Sequence, residues 1–388
     1  MSNWFEKNPR KTFVLFLALL LFGATLITEK ALSLKAHTKK SGIIRVIRLR
    51  EHAPRFAGRI TPSDDELRMA DSLVPKEYPF RTDSEGFIEP ALIHQHPDLT
   101  LVFLGGSTTA CYYVDEDKRF PALVGRLLEK DTKLKVNSCN SGVGGNFSLH
   151  SLDILLNKVI PLKPDLVIMM HNINDLAVLM YAKSYWSKDF KKGHTSPIVE
   201  LHPKIIDTRL LVDYLIPNLY LELKSMEKWL RHTLRPKKAA SQEDELRDFR
   251  GKKITLDQNF LVQEFKMNEQ LFINICRARN ITPVLMTMEN RLKENPDPLI
   301  MQLTKPLEKD QGISYQEYKE IFDRFNQAIR EVGAANRVLV IDLARKVPQE
   351  KEYIYDLVHF TTRGSELAAG VIKEALQPQL RSLSPGHN

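Results

Sequence analysis

The chain has 388 residues, which is enough for one large domain with additions or for two modest domains. Hydrophobic residues make up 43% and charged residues 27%, an ordinary composition for a globular protein with a sizeable core. Much of the basic excess behind the net charge of +8 lies between residues 35 and 59. No basic stripe interleaved with aromatic residues appears, so nucleic acid is not an expected partner.

An apolar run from Thr12 to Thr28 follows a short basic tail. A membrane span needs about 17–25 residues, so this run is a short candidate span, and the hydrophobic region of a signal peptide is the alternative. Because no small-x-small cleavage site and no cysteine for lipidation follow, we predict an uncleaved signal anchor, a transmembrane helix within residues 1–30.

Basic residues flank this run on both sides. Three precede it and favour a cytoplasmic amino terminus with an exported body, whereas four lysines within residues 30–40 oppose that orientation. The very short preceding tail is typical of a signal anchor. We therefore expect a single-pass protein of the inner (cytoplasmic) membrane whose body lies in the periplasm, with a basic segment suited to anionic headgroups.

Residues 31–98 are interpreted as a basic linker and an irregular lead-in, because prolines recur between residues 54 and 97 and break any long helix. Residues 80–87 carry turn-forming side chains and predict a short hairpin.

The apolar run Leu101 to Leu104 ends abruptly at Gly105-Gly106-Ser107. This pattern predicts a buried strand that leads into a tight turn. Two glycines allow φ values that a side chain would forbid, so Ser107 can lie exposed at the carboxyl end of the strand, where ligands bind in open α/β sheets. Taken alone, an ordinary Gly-Ser turn is the simpler interpretation.

Two further strands are predicted at 134–138 and 165–170, and each ends in a polar or glycine-rich loop. The first and third strands are almost continuously apolar, which favours a parallel sheet covered on both faces. Right-handed crossovers then make a three-layer α/β/α sandwich the natural solution. The intervening helices are predicted at 120–130 and 149–159.

The alternation breaks in an insertion at about residues 176–255. It contains an amphipathic helix candidate at 209–234 and a charged stretch at 235–253 that is typical of a solvated, mobile connection. An insertion at the carboxyl end of a strand stands beside the site, so a cap over substrate and a surface or membrane-facing excursion both remain open.

Beyond the insertion the alternation returns and completes a five-stranded parallel, flavodoxin-like sheet in one domain, residues 99–388. The remaining predicted elements are a helix at 256–278, strands at 283–288 and 338–341, and helices at 315–332 and 362–376.

Three cysteines without a C-x-x-C pair do not suit a zinc site or a disulfide framework. Cys111 and Cys139 lie near the ends of adjacent predicted strands, so a bridge between them is open, with buried free thiols as the default.

Asp356 and His359 come just before the last predicted helix, three residues apart, a spacing that places both side chains on one side of a helical turn. A carboxylate there can hold one imidazole nitrogen while the other takes a proton from a serine. An ordinary surface pair is the alternative, because D-x-x-H alone has many false positives.

Gly145 and Asn174 are the candidate oxyanion donors. A backbone N–H in a tight loop and a side-chain amide can both point at a developing negative charge, alongside the N–H of Ser107. A glycine-rich turn and a capping asparagine are the structural alternatives. A phosphate-binding loop is rejected, because neither the P-loop Lys-Ser/Thr pair nor the dinucleotide pattern is present.

Together, four blocks resemble the SGNH branch of the GDSL esterase/lipase family, named for its Ser, Gly, Asn and His, in a membrane-anchored bacterial variety. They follow the family's order, and the resemblance covers roughly residues 100–175 and 281–376. The sequence departs from the family in reading GGST for GDS and in having Asn172 where glycine is usual. The four blocks are GGST at 105–108, NSGVGG at 140–145, IND at 173–175 and DLVH at 356–359.

The resemblance implies the SGNH hydrolase fold and a serine acyl-ester hydrolase that needs no metal or organic cofactor. His359, oriented by Asp356, would activate Ser107, with Gly145 and Asn174 in the oxyanion hole. The implied substrate is an acylated envelope or exported polysaccharide that loses or passes on an acetyl or other short acyl group. A non-catalytic glycan-binding or assembly scaffold and a membrane-surface lipase acting on lipid esters remain alternatives.

Overall fold

The computed structural model describes residues 8–35, 49–186 and 251–383, with isolated positions between 215 and 226. Most of the predicted insertion helix at 209–234, and the charged stretch up to residue 250, lie outside the described residues. The chain divides into two compact units, residues 1–43 with 198–245 and residues 44–197 with 246–388.

The first unit contains the long apolar helix α1, Pro9–Lys35. Within Pro9–Leu32 it has a window of mean hydropathy 2.1 and no buried residue. By length and composition this helix can serve as a membrane anchor or as a signal sequence. Near its end, the Glu29 carboxylate accepts hydrogen bonds from the side-chain amide of Asn218 (2.7 Å) and from the backbone N–H of Leu219 (2.8 Å).

The second unit opens with a small antiparallel pair of strands, β1 (Ala57–Ile60) and β2 (Tyr78–Arg81), separated by the short helix α2 (Asp64–Arg68). The predicted hairpin at 80–87 is reduced to one bridge between Thr82 and Ile88. Ile88 also bridges to Asn140, so this lead-in is attached to the main sheet.

Five parallel strands form the main sheet: β3 (Leu99–Gly105), β4 (Val136–Asn140), β5 (Leu166–Met170), β6 (Thr282–Met286) and β7 (Leu339–Ile341). Their order across the sheet is β4-β3-β5-β6-β7. This is the flavodoxin-like order 2-1-3-4-5, and it confirms the predicted fold class. The register places Val102 opposite both Cys139 and Val167.

Helices cover the sheet, as the apolar strands require. The bounds of the helices that follow β3 are α3 (Ser107–Ala110), α4 (Phe120–Thr132), α5 (Ser148–Ile154), α6 (Ile173–Ala182), α7 (Gln258–Arg277), α8 (Pro298–Pro306), α9 (Tyr315–Asn336), α10 (Leu343–Lys346) and α11 (Thr362–Leu383).

Helices α4 and α11 pack together on one face of the sheet, and α5, α7 and α9 pack on the other. The ring of Phe103 on β3 meets Phe120 of α4 edge to face at 5.6 Å. In the opposite layer, Phe265 of α7 stacks on Phe325 of α9 at 4.5 Å. Aromatic pairs of this kind stabilise beyond the area they bury. The rigid sheet between the layers fixes the positions of the loops at its carboxyl edge.

The three cysteines are buried free thiols, as the default interpretation held, and Cys111 and Cys139 are not bridged.

Candidate active site

Ser107 is the first residue of α3, two residues beyond the end of β3. The glycine before it is needed for space and not for an unusual backbone angle, because φ of Gly106 is −89°. A Cβ atom on Gly106 would lie 2.6 Å from Nδ2 of Asn174 and 3.1 Å from the carbonyl oxygen of Asn146. The reason predicted for this glycine is therefore wrong. Its role is to let the Asn174 amide approach the backbone beside Ser107.

The structure brings the three predicted residues Ser107, His359 and Asp356 into one hydrogen-bonded line. Nε2 of His359 lies 2.7 Å from Oγ of Ser107, and Nδ1 of His359 lies 2.7 Å from Oδ2 of Asp356. The side chains of His359 and Asp356 are 28% and 20% exposed, so the line is open to solvent. This is the arrangement in which a histidine can take the proton of a serine hydroxyl.

The backbone around Asp356 differs from the predicted helical turn. Oδ1 of Asp356 accepts hydrogen bonds from the N–H groups of Val358 (2.9 Å) and His359 (2.8 Å), which closes a turn outside any helix. An aspartate that bonds the backbone two residues on is typical of an Asx turn. One carboxylate oxygen thus holds the turn, and the other is left for the imidazole.

The charges of the pair support each other. Burial by itself lowers the pKa of His359, but the Asp356 carboxylate outweighs it and, with Glu66, raises that pKa above its ordinary value. Burial by itself raises the pKa of Asp356. The positive charge and hydrogen bonds of His359 outweigh this effect and bring that pKa below its usual range. Asp356 therefore stays ionised and holds Nδ1–H, leaving Nε2 as the acceptor for the serine proton.

Tyr355, Tyr113 and Glu66 form a chain of contacts that begins at His359. The ring of Tyr355 stacks on the imidazole with 5.5 Å between centroids and 11° between planes. Tyr113 lies 6.4 Å from Tyr355, and its hydroxyl donates to Oε1 of Glu66 at 2.6 Å. Glu66 belongs to α2, so the segment interpreted as an irregular lead-in supplies a charge next to the candidate base.

The predicted oxyanion residues lie at the same edge. The N–H of Val143 donates to the carbonyl of Gly105 at 3.1 Å, which fixes the loop after β4 against β3. Gly145 has φ of +74°, a left-handed conformation that favours glycine. The N–H of Gly144 donates to Oη of Tyr112 at 2.8 Å, whereas the N–H of Gly145 meets no acceptor in the described part of the chain.

The side-chain amide of Asn174 lies beside the backbone of Gly106. Its Nδ2 donates to the carbonyl of Asn146 at 2.8 Å, and an amide nitrogen carries a second hydrogen. Asn172, the departure from the family pattern, is fully buried and donates from Nδ2 to the carbonyl of Phe322 on α9 at 3.0 Å. Asn172 therefore braces the end of β5, whereas Asn174 lies beside the glycine that precedes Ser107.

A second serine–histidine pair shows what distinguishes the first. Oγ of Ser151 lies 2.7 Å from Nε2 of His171, and Nδ1 of His171 lies 3.5 Å from Oδ2 of Asp175. None of the three is more than 1% exposed. Burial lowers the pKa of His171 to about 3, so this ring is neutral. Substrate cannot reach this pair, and we interpret it as part of the core.

Metal ligation is not evident at this edge. Among the residues that the structure describes, no group of three or more His, Cys, Asp and Glu is arranged to hold an ion. The two carboxylates whose charges act on His359 are engaged with neighbouring groups: Asp356 bonds the imidazole, and Glu66 accepts from Ser63 and Tyr113.

Sequence reasoning missed three residues that contact the loop after β4: Arg50, His52 and Tyr112. Arg50 and His52 bond carbonyl groups that lie 95 and 90 residues further along the chain. Any residue can present a backbone carbonyl, so no residue pattern marks such a partner. The basic character of the segment was the only available signal, and it pointed to membrane headgroups.

Comparison with known proteins gives distant likenesses. No family model and no curated protein matches the chain. Similar solved structures, each with a TM-score of 0.41, include a lipase/acylhydrolase from Enterococcus faecalis, with 18% sequence identity over 72% of this chain and 96% of that one. A second is a putative GDSL-like lipase from Parabacteroides merdae, with 13% sequence identity over 74% of this chain and 98% of that one. An acetylxylan esterase from Geobacillus stearothermophilus is another (14%, 72% and 94%). At these values the likeness is weak.

Proposed function

We propose that the protein is a serine-dependent acyl-ester hydrolase. The observation that carries this proposal is the line Ser107–His359–Asp356, with two contacts of 2.7 Å and the histidine tautomer that the ionised aspartate selects. Ser107 is half-buried and sits at the carboxyl edge of a parallel sheet, where a substrate can reach it.

In the proposed reaction, Nε2 of His359 takes the hydroxyl proton as Oγ of Ser107 attacks the ester carbonyl. The new C–O bond places a negative charge on the former carbonyl oxygen, and the imidazolium is stabilised by Asp356. His359 then returns the proton to the leaving alcohol, which leaves the acyl group on Ser107.

The N–H groups of Ser107 and Gly145 and the Asn174 amide are proposed to bind the oxyanion. Removal of one such donor typically costs about 10²–10³ in kcat. Water activated by the same histidine then releases the acyl group, or a sugar hydroxyl accepts it in a transfer reaction.

The proposed substrate is an acetylated or otherwise short-chain acylated polysaccharide of the envelope or outside the cell. Beside the imidazole of His359 lie the aromatic ring of Tyr355 and the negative charge of Glu66, surroundings that suit a sugar better than a long acyl chain. We further propose that α1 remains as an uncleaved anchor in the inner membrane, with the hydrolase on the periplasmic side.

The test compares Ser107→Ala with Ser151→Ala in the full-length protein in detergent. Ser151 is the matched control, because it also bonds a histidine but is fully buried. A fluorophosphonate probe should label the wild type and Ser151→Ala, whereas Ser107→Ala should stay unlabelled and lose at least about 10⁴-fold in nitrophenyl acetate turnover. Equal turnover by the wild type and Ser107→Ala would rule out the serine nucleophile.

Substrate class is tested with nitrophenyl esters of increasing chain length and with acetylated polysaccharides. Release of acetate from a polysaccharide, with turnover falling beyond short acyl chains, supports the proposed substrate. A preference for long acyl chains would instead identify a membrane-surface lipase. Specific polysaccharide binding without any labelling of Ser107 would identify a non-catalytic scaffold.

A further inference from the structure

The loop Gly142–Asn146, called the glycine loop below, is held by a segment that precedes the sheet. We call residues 49–56 the arm. Nη1 of Arg50 donates to the carbonyl of Gly145 at 3.1 Å, and Nη2 donates to the carbonyl of Gly144 at 3.0 Å. In return, Nδ2 of Asn146 donates to the carbonyl of Arg50 at 3.2 Å. One guanidinium thus binds two successive carbonyls of the loop.

The arm has other attachments besides Arg50. Glu51 forms an ion pair of 3.2 Å with Lys158, whose ammonium group is fully buried and lies 4.1 Å from the ring centre of Phe87. His52 packs its ring edge-on against Phe80 at 4.9 Å. The arm is therefore expected to stay in place when the Arg50 side chain alone is removed.

His52 adds a third bond to the loop. Its Nε2 lies 3.0 Å from the carbonyl of Gly142, which can only accept, so Nε2 carries the hydrogen. Burial lowers the pKa of His52 to about 4, so the ring is a neutral donor at physiological pH. With Tyr112 accepting from the N–H of Gly144, the loop is bonded to neighbouring side chains at three successive peptide groups.

Because a peptide group is planar, the bonds from Arg50 to the glycine loop also affect the candidate oxyanion hole. The carbonyl of Gly144 and the N–H of Gly145 belong to the same planar trans peptide, so they point in opposite directions. When Arg50 holds the carbonyl of Gly144, it also sets the direction of the N–H of Gly145. Glycine has many accessible backbone conformations, so this direction is not fixed by local sterics.

We propose that Arg50 is a positioning residue of the oxyanion hole and that the arm is part of the catalytic unit. This inference rests on the proposed hydrolase function. Arg50 acts through the Gly144–Gly145 peptide and does not touch the reacting atoms. Its loss should therefore lower kcat, because the oxyanion exists only in the transition state, and should leave KM nearly unchanged.

The test uses the full-length protein and three variants: Arg50→Ala, Arg50→Lys and Arg59→Ala. Arg59→Ala is the matched control, because it removes the same charge from an exposed arginine that pairs with the surface residue Glu77. Arg50→Ala should lose about 10- to 10³-fold in kcat on nitrophenyl acetate, with KM within about 3-fold. Arg50→Lys should recover little, since one ammonium cannot match the planar fork. Added guanidinium chloride at millimolar concentration should restore part of the kcat of Arg50→Ala.

Hydrogen exchange gives a readout that does not need activity. In Arg50→Ala, the peptide covering residues 141–147 should exchange faster, while exchange in the other peptides stays unchanged. In Arg59→Ala, the Tm should stay unchanged. Unchanged exchange in residues 141–147, or equal losses of kcat in Arg50→Ala and Arg59→Ala, would overturn the positioning role. If the wild type has no esterase activity, the proposed function fails, and the exchange data still decide whether Arg50 orders the glycine loop.

Discussion

At the residue scale, the protonation of His359 sets the expected pH dependence. The base must be neutral, so kcat/KM rises with pH through the pKa of His359, which lies above the ordinary value of 6.5. Glu66 contributes to that rise. Glu66→Gln is therefore expected to move the acidic limb of the kcat/KM profile to lower pH.

The measurement is kcat/KM between pH 5 and 9. Glu77→Gln serves as the control, because Glu77 is an exposed carboxylate that pairs with Arg59 on the surface. A midpoint that stays in place or moves upward in Glu66→Gln would contradict this account of the site.

The buried carboxyl group of Glu289 is expected to make the unfolding free energy depend on pH. Glu289 is fully buried, and neither carboxylate oxygen has a partner on another described residue. Burial, together with the charge of Asp356, raises the pKa of Glu289 well above its ordinary value. The folded state thus holds this proton more tightly than the unfolded state. Its contribution is full below the unfolded pKa of about 4.3 and is lost as pH rises toward the folded pKa.

Glu289→Gln should therefore reduce the fall in unfolding free energy between pH 5 and pH 8. Urea denaturation at the two pH values measures this, with the exposed Glu320→Gln as the control. A difference between pH 5 and 8 equal to that of the wild type would show that Glu289 does not titrate in this range.

The residues that a serine hydrolase requires were predictable because their types are specific. A serine after a strand and a D-x-x-H before the last helix have few roles when they meet at one sheet edge. Glu66, Tyr355 and Glu289 were not predictable. Their influence comes from packing around His359 and Asp356, and no sequence spacing encodes that packing.

At the element scale, two helical glycines differ in the space around them, which shows where a helix packs closely on its neighbour and where it does not. A Cβ on Gly125 of α4 would lie 2.7 Å from Cβ of Ser138 on β4, whereas a Cβ on Gly370 of α11 would meet nothing within 4 Å. Gly125→Ala should destabilise by about 1–3 kcal/mol, because the helix must move off the sheet. Gly370→Ala should stabilise by about 0.5–1 kcal/mol through helix propensity.

Chemical denaturation of the two variants measures the difference between them. Stabilisation by both substitutions would mean that α4 does not pack on β4 as closely as described.

The order and type of the elements in the main sheet could be predicted from the sequence, but the residues at which some strands begin and end could not. The second sheet strand was predicted at 134–138 and lies at Val136–Asn140. Its end is polar yet fully buried, because each polar side chain has a partner: Asn137 bonds the carbonyl of His94, Ser138 that of Pro121, and Asn140 that of Thr109. Hydrophobic periodicity cannot detect a strand whose burial depends on such bonds.

At the scale of the whole molecule, the orientation of the anchor decides which substrates the site can meet. The proposed orientation is tested with carboxyl-terminal fusions to alkaline phosphatase, which is active only outside the cytoplasm, and to a fluorescent protein that matures only inside it. We expect the phosphatase fusion to be active and the fluorescent-protein fusion to be non-fluorescent. Both fusion proteins should be found at full length in the membrane fraction. The reverse pattern would place the hydrolase in the cytoplasm, and a shortened soluble product would identify α1 as a cleaved signal.

The distance along the chain between Ser107 and His359 also has a consequence for biosynthesis. The two residues that share a 2.7 Å contact are separated by 252 positions. At about 5–20 residues per second, a ribosome needs about 13–50 s to pass from one to the other. Throughout that interval the growing chain carries a serine without its base. The proposed hydrolase would thus be synthesised in an inactive form. It would gain its activity only when its last strand has joined the sheet and its final helix has packed on it.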